Sequence, residues 1–343
     1  MTQKADIRAE AIRLRTRFEA RGAEVFEADI LQPAGALLDL YGEDIRARAF
    51  VTQDPLRGEM MLRPDFTVPL VQQHVATSGV AGRYTYAGEV FRRQEDDDSR
   101  PREYIQVGFE VFGDGVETDA EVFAAMADAL TGVPVQPTIG DFGVLTTAIQ
   151  SLDTPERRKK ALLRHIWRPG RFDALLGRFS RPAPPPPLPP DEGIVHVGLR
   201  TREEIAARLE LLAEEAKTPP LSPADLTRLR ALEAIEDSAP KAVAALRALG
   251  ETASAHRLSD TLDAVAGHGI DPSSLRFQAS FGLTSLEYYS GFVFGFTAPG
   301  HAPVATGGRY DLLTAALNDG ATVPAVGGVI RPEVVLALKG GAA

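Results

Sequence analysis

Arg102-Glu103-Tyr104-Ile105-Gln106-Val107-Gly108-Phe109-Glu110-Val111-Phe112 is the stretch on which the reading of this chain turns. Ile105, Val107, Phe109 and Val111 are apolar at every second position, which marks a strand with one face against a core. Arg102, Gln106, Gly108 and Glu110 share the opposite face. An amide and a carboxylate separated by a residue with no side chain leave room for a small ligand to lie on the sheet. Glu110 suits an ammonium group there, and Gln106 suits a polar ligand atom. A solvated face with one chance carboxylate fits this strand alone equally well.

The surrounding elements follow from pattern and punctuation. Residues 83–93 predict the partner strand of a hairpin, joined through Gln94 to Pro101. Ile7, Ala11, Leu14 and Phe18 predict a helix over 4–21 capped by Gly22. Further helices are expected at 65–77, 117–131 and 332–339, and a turn at Asp54-Pro55-Leu56-Arg57-Gly58. Thr154-Pro155, Ser222-Pro223 and the capping box Thr201-x-x-Glu204 mark helix starts in the middle of the chain. Between them Arg181 to Pro190 reads RPAPPPPLPP, a stiff connector rather than helix or central strand. Strand patterns return from about residue 275. These signals predict an α+β protein: a core split between 1–138 and 272–343, with a mainly helical insertion at 139–271 carrying the Pro-rich connector 181–190.

Composition bounds the function. The chain has 343 residues, 44% of them apolar, which suits a globular protein with a proper core. It has no cysteine, which excludes disulfides, thiolate metal sites and Cys nucleophiles. His74, His165, His196, His256, His268 and His301 show no metal-ligand spacing, so neither metal nor cofactor is expected. A net charge of −10 weighs against a protein built to grip nucleic acid. The charged start has no apolar run of signal-peptide length, and no segment approaches a membrane span. A cytoplasmic protein without membrane contact is expected.

Outside the strand, Leu62-Arg63-Pro64-Asp65-Phe66-Thr67 sets a second carboxylate and a hydroxyl at a strand-to-helix junction. Arg92 ends the partner strand. Leu286-Glu287-Tyr288-Tyr289-Ser290-Gly291 and Gly307-Gly308-Arg309-Tyr310-Asp311 follow near the C-terminus. Over residues 1–135 and 275–338, in order, these segments resemble the catalytic domain of histidyl-tRNA synthetase, a class II synthetase. That resemblance implies an antiparallel sheet flanked by helices. Gly35 to Gly42 resembles motif 1, through which that family dimerises; the hairpin 83–112 resembles motif 2, and Pro324 to Leu338 lies where motif 3 belongs. It also implies that Asp65, Glu110 and Thr67 hold the α-ammonium of histidine. Gln106 and Arg92 would meet its carboxylate, and Tyr288 and Tyr289 would wall the imidazole. Gly282 and Gly291 bracket a loop expected to close over the ligand, while Arg309 and Tyr310 are expected to stabilise the turn.

Four departures bear on activity. The family's Arg-Gly-Leu-Asp-Tyr-Tyr is here Thr284 to Tyr289, and Thr284 cannot stabilise charge during adenylation. The motif 3 arginine position is Val334; Arg331, three residues earlier, is expected at the start of the helix and pointing elsewhere. The loop Gln94-Glu95-Asp96-Asp97-Asp98-Ser99 would repel both ATP and tRNA. The sequence ends about five residues after the motif 3 helix, where the family continues into an anticodon-binding domain. An amino-acid pocket without nucleotide machinery, with LRPD for LRPE, resembles the regulatory subunit of ATP phosphoribosyltransferase. That likeness implies no catalysis of its own and no tRNA. It implies hetero-oligomers with a short-form catalytic subunit, a role in the first step of histidine biosynthesis, and feedback inhibition with L-histidine as effector. The alternative is an active histidine-adenylating enzyme.

Overall fold

The computed structural model describes residues 3–35, 49–77, 81–93, 101–187, 201–282 and 289–340. In chain order the elements are α1 (Lys4–Glu19), β1 (Glu24–Val25), β2 (Leu31–Pro33), β3 (Val51–Asp54), β4 (Gly58–Leu62), α2 (Thr67–Ala76), β5 (Gly82–Phe91), β6 (Glu103–Phe112) and α3 (Gly115–Ala129). Then come β7 (Gln136–Asp141), α4 (Phe142–Gln150), α5 (Glu156–His165), α6 (Pro169–Phe179), α7 (Arg202–Lys217) and α8 (Pro223–Glu233). The chain ends with β8 (Glu236–Ser238), α9 (Ala239–Ala248), α10 (Thr252–Gly267), β9 (Arg276–Gln278), β10 (Phe292–Thr297), β11 (Ala305–Arg309), α11 (Asp311–Ala316), β12 (Ala325–Ile330) and α12 (Pro332–Gly340).

Two compact units result. The first comprises residues 1–143, 235–282 and 288–343, and the second is built on 144–234. The first holds a sheet in the order β1-β5-β6-β12-β11-β10-β7-β9-β8, antiparallel except where β1 meets β5 and β7 meets β9. A separate small sheet runs β2-β4-β3. The predicted hairpin is the pair β5–β6, in register from Gly82↔Phe112 to Phe91↔Glu103. The insertion expected over 139–271 and the compact second unit differ at both ends. β7 runs to Asp141 inside the sheet, and β8 pairs with β9 at its edge, so β8, α9 and α10 belong with the first unit.

Local chemistry explains the elements. Asp54 Oδ1 accepts from the amides of Leu56 (2.8 Å) and Arg57 (3.0 Å), and Gly58 takes φ +81°, closing the expected turn. Ala11, Leu14 and Phe18 are the buried apolar residues of α1, and Phe18 stacks on Phe109 of β6 with centroids 5.0 Å apart. Phe292, Phe294 and Phe296 alternate along β10, and each ring meets Phe123 of α3. Burying each such ring contributes roughly 1.5–3 kcal/mol.

In the second unit Leu162, Ile166, Phe172, Leu176, Phe179, Leu229 and Leu232 are buried. Arg158, 1% exposed, donates to Glu215 (2.7 Å) and to the Pro219 carbonyl (2.7 Å) and lies over Phe179. The Thr201–Glu204 capping box forms, and Ser222 caps α8. The Thr154-Pro155 start works differently: Pro155 occupies the cap position of α5 with no side-chain cap. Residues 188–190 of the Pro-rich connector lie outside the described residues.

Arg309 stabilises the first unit from inside, as expected of a residue serving the turn. At 8% exposure its guanidinium contacts Asp119 (2.8 Å), the Gly113 and Gly115 carbonyls (3.2 Å each) and Asp311 (3.3 Å). Burial lifts the Asp119 carboxyl to about 6 even with Arg309 beside it. Arg309→Ala would leave a buried acid unpaired and should lower unfolding free energy by about 3–5 kcal/mol in urea titrations. Arg309→Lys should recover less than half of the loss, because one ammonium cannot reach the four acceptors a guanidinium fork spans.

Candidate functional site

The ligand-facing side of β6 is closed by its neighbours rather than solvated. Gly108 pairs with Tyr86 across the hairpin, and Gly327 pairs with Glu110 on the other side. A Cβ at residue 108 would stand 2.0 Å from Tyr86 Cζ, so the Tyr86 ring fills the gap at Gly108. A Cβ at residue 327 would stand 1.5 Å from Glu110 Oε2. The space left by two glycines is thus taken by a phenol and a carboxylate. Both Gln106 (2%) and Glu110 (1%) are buried, which corrects the expectation of one buried face and one open one.

Glu110 Oε1 accepts from the hydroxyl of Tyr86 at 2.9 Å and from that of Thr67 at 3.2 Å. Thr67 starts α2, so the strand-to-helix junction delivers it to the carboxylate. Two contacts anchor that junction. The Phe66 ring stacks on Tyr86 with centroids 4.4 Å apart, and Arg63 lies 4.1 Å over Phe66. Arg63 also donates to the carbonyls of Glu89 (2.7 Å) and Ala28. Asp65 accepts from the amide of Val68 at 3.2 Å. It borders a cavity of ≈ 50 Å³ with Pro33, Pro64 and Val68, room for a water or an ammonium but not a whole amino acid.

Charge in this cluster is strained toward neutrality. Burial pushes Glu110 up to about 7, against the pull of the Tyr86, Tyr310 and Thr67 hydroxyls. Burial also raises Asp65, opposed by Arg92 and by the Val68 and Thr67 amides. The Tyr86 phenol is lifted well above its ordinary value by burial and by Glu110. A buried acid and a half-buried one, both with raised pKa values, are a place where an incoming cation is stabilised. Gln106 Oε1 is buried and without a hydrogen-bond partner among the described residues, an acceptor on the same face as Glu110.

Asp65, Thr67, Arg92, Gln106 and Glu110 all belong to elements of this one face. Arg92 Nε donates to the Pro64 carbonyl at 2.8 Å, and its charge acts on Asp65. Tyr289 is 7% exposed, with its ring 6.3 Å from that of Phe142. Tyr288, Thr284 and the rest of 283–288 lie outside the described residues, as do the acidic loop 94–99 and residues 36–42 of the motif 1 region. Arg331 stands at the start of α12 as expected but does not point away. It donates to the Pro303 carbonyl (3.0 Å) and lies 5.6 Å over the ring of Tyr104, on the same face as Gln106, close enough for Arg92 to disfavour its charge. The aromatic ring draws it back over the sheet.

Tyr86 escaped the sequence reading, whereas Tyr310 was expected only to stabilise the turn. A readable signal existed for Tyr86: hairpin register sets it opposite Gly108, a large ring facing a missing side chain. Tyr310 follows β11 directly, and nothing in the local sequence ties it to Glu110.

The raised Glu110 has a stability consequence with a definite sign. Its folded pKa of about 7 exceeds the ordinary value of 4.5, so the stabilisation is present below about 4.5 and lost as pH rises through 7. The ionised acid then costs the ligand-free fold up to about 3 kcal/mol. Glu110→Gln, which mimics the neutral acid, should therefore be more stable than the parent near pH 8, with the difference shrinking toward about pH 4.5. Denaturant titrations at the two pH values check this.

The sequence profile of the histidyl-tRNA synthetase family matches residues 2–182 and 199–335. Proteins of Brucella ovis and Brucella suis named ATP phosphoribosyltransferase regulatory subunit are 31% identical to the chain, covering 95% of it and 96% of their own length. A crystal structure titled ATP phosphoribosyltransferase regulatory subunit/histidyl-tRNA synthetase, from Bacillus halodurans, aligns with 98% of this chain and 80% of its own (TM-score 0.71, 20% identity). Histidyl-tRNA synthetase from Nostoc aligns with all of this chain and 74% of its own (TM-score 0.67, 19% identity), which supports the class II synthetase fold. With a shared length and a third of its residues in common with such relatives, the chain belongs to the ATP phosphoribosyltransferase regulatory subunit family, on the histidyl-tRNA synthetase fold.

Proposed function

We propose that this chain is the non-catalytic regulatory subunit of ATP phosphoribosyltransferase, acting in the first step of L-histidine biosynthesis in the cytoplasm. It binds histidine and passes that signal to a short-form catalytic subunit as feedback inhibition. The observation that supports the reading is the carboxylate cluster around the buried Glu110, which suits an ammonium group, in a chain where Val334 stands at the family's nucleotide-clamping arginine position. Asp65, Glu110 and Thr67 receive the α-ammonium. Gln106 and Arg92 receive the carboxylate, with Arg331 adding positive charge nearby. Tyr288 and Tyr289 flank the imidazole. Self-association runs through the motif 1 region, and tRNA is not a partner.

Feedback is linkage: histidine must bind one conformation of the complex better than another, and that preference must disfavour the active catalytic subunit. Ionised Glu110 meets the ammonium, so binding draws its proton off.

Isothermal titration should therefore show histidine binding that tightens by about tenfold between about pH 6 and pH 8, with proton release below about pH 7. Asp65→Ala and Glu110→Gln should each weaken it by at least about tenfold. Mixing the chain with a short-form catalytic subunit should give a co-purifying complex whose transferase activity histidine suppresses. Absence of binding heat makes the pocket a relic; histidine-dependent exchange of pyrophosphate into ATP makes the chain an adenylating enzyme instead.

A further inference from the structure

The second unit carries a groove that neither the fold nor the histidine pocket accounts for. Its volume is ≈ 700 Å³, within the range of small-molecule sites. Arg178 on α6, Arg181 just beyond it and Arg208 on α7 line it, together with Leu212 and the rings of Pro182 and Pro184. All three arginines are exposed, and no acid pairs with any of them among the described residues. One carboxylate lines the groove, Glu215, and it is already neutralised by Arg157 (2.9 Å) and Arg158 (2.7 Å). Three guanidinium groups therefore stand around an apolar floor with no unneutralised carboxylate to answer them among the described residues.

The charge is regional as well as local. Residues 156–181 hold nine Arg or Lys against two acids, in a chain whose net charge is −10. Such a concentration of one sign draws anions toward the groove. Guanidinium groups match phosphate oxygens in planar, two-point fashion, and three of them suit a compact charge of −2 or more. Pro182, Pro184 and Leu212 offer flat apolar surface beside them, which suits a ring.

We propose that this groove is a binding site for a nucleoside phosphate, with the phosphates on Arg178, Arg181 and Arg208 and the base on the Pro–Leu floor. The site is separate from the histidine pocket, since every residue it uses lies in the second unit.

Titration of the full-length chain with ADP, ribose 5-phosphate and inorganic pyrophosphate tests it. ADP should bind at one site, with ribose 5-phosphate and pyrophosphate each at least about tenfold weaker, because each lacks half of the recognised ligand. The double variant Arg181→Ala/Arg208→Ala should weaken ADP by at least about tenfold and leave histidine binding unchanged. Arg92→Ala, in the first unit, should leave ADP binding intact. Circular dichroism verifies folding, and the single charge reversal Arg208→Glu gives an independent reading at an exposed position. No ADP binding at about 1 mM overturns the proposal. So does binding that survives the double variant, binding lost in Arg92→Ala, or ribose 5-phosphate binding as tightly as ADP.

Discussion

Glu110 occupies a position that the sheet makes possible only by omitting side chains on either side of it. Its carboxylate stands where a Cβ of residue 327 would be, and the Tyr86 ring that donates to it stands where a Cβ of residue 108 would be. Replacing either glycine with any other residue forces backbone strands apart or expels the polar group. The strand pairs β5–β6 and β6–β12 are therefore built around this acid. So is the junction before α2, because Phe66 stacks on Tyr86 and Thr67 donates to the same oxygen.

A buried acid lifted to about 7 does not help the empty fold. Hydroxyl donors satisfy part of it, yet a cation is what would repay its burial. This is the physical pattern of a binding site, where groups are held in an environment that suits the ligand better than the apo protein. Arg309 shows the contrasting case. It is also buried and charged, but its four contacts saturate the guanidinium and leave nothing for a ligand. Saturation marks Arg309 as a structural charge.

Much of the fold was legible along the chain. Alternation in 102–112, the helix face of Ala11, Leu14 and Phe18, the Asp54–Gly58 turn and the Thr201 capping box all rest on contacts within a few residues, which local pattern reports. Asp65, Thr67, Arg92, Gln106 and Glu110 could be singled out through the order of their motifs in the chain. Less legible was the boundary of the insertion. β8 is only three residues long, and its pairing with β9 depends on a partner about forty residues away. Arg331 was misjudged in direction for a similar reason, since Tyr104, which holds it, is remote in sequence.

By itself, then, the sequence determined which elements form, which chemistry the even face of β6 carries, and which phosphate-handling residues of the fold are replaced. The first two follow from residue type and spacing, and the third from the resemblance to the synthetase family. Only the tertiary structure decided that the polar face is sealed, that the Tyr86 hydroxyl donates to Glu110, and that three arginines with no acid partner among the described residues share a groove in the second unit. Each of these depends on side chains from separate elements meeting, and on how little water is left between them. Spacing along one strand carries no record of that.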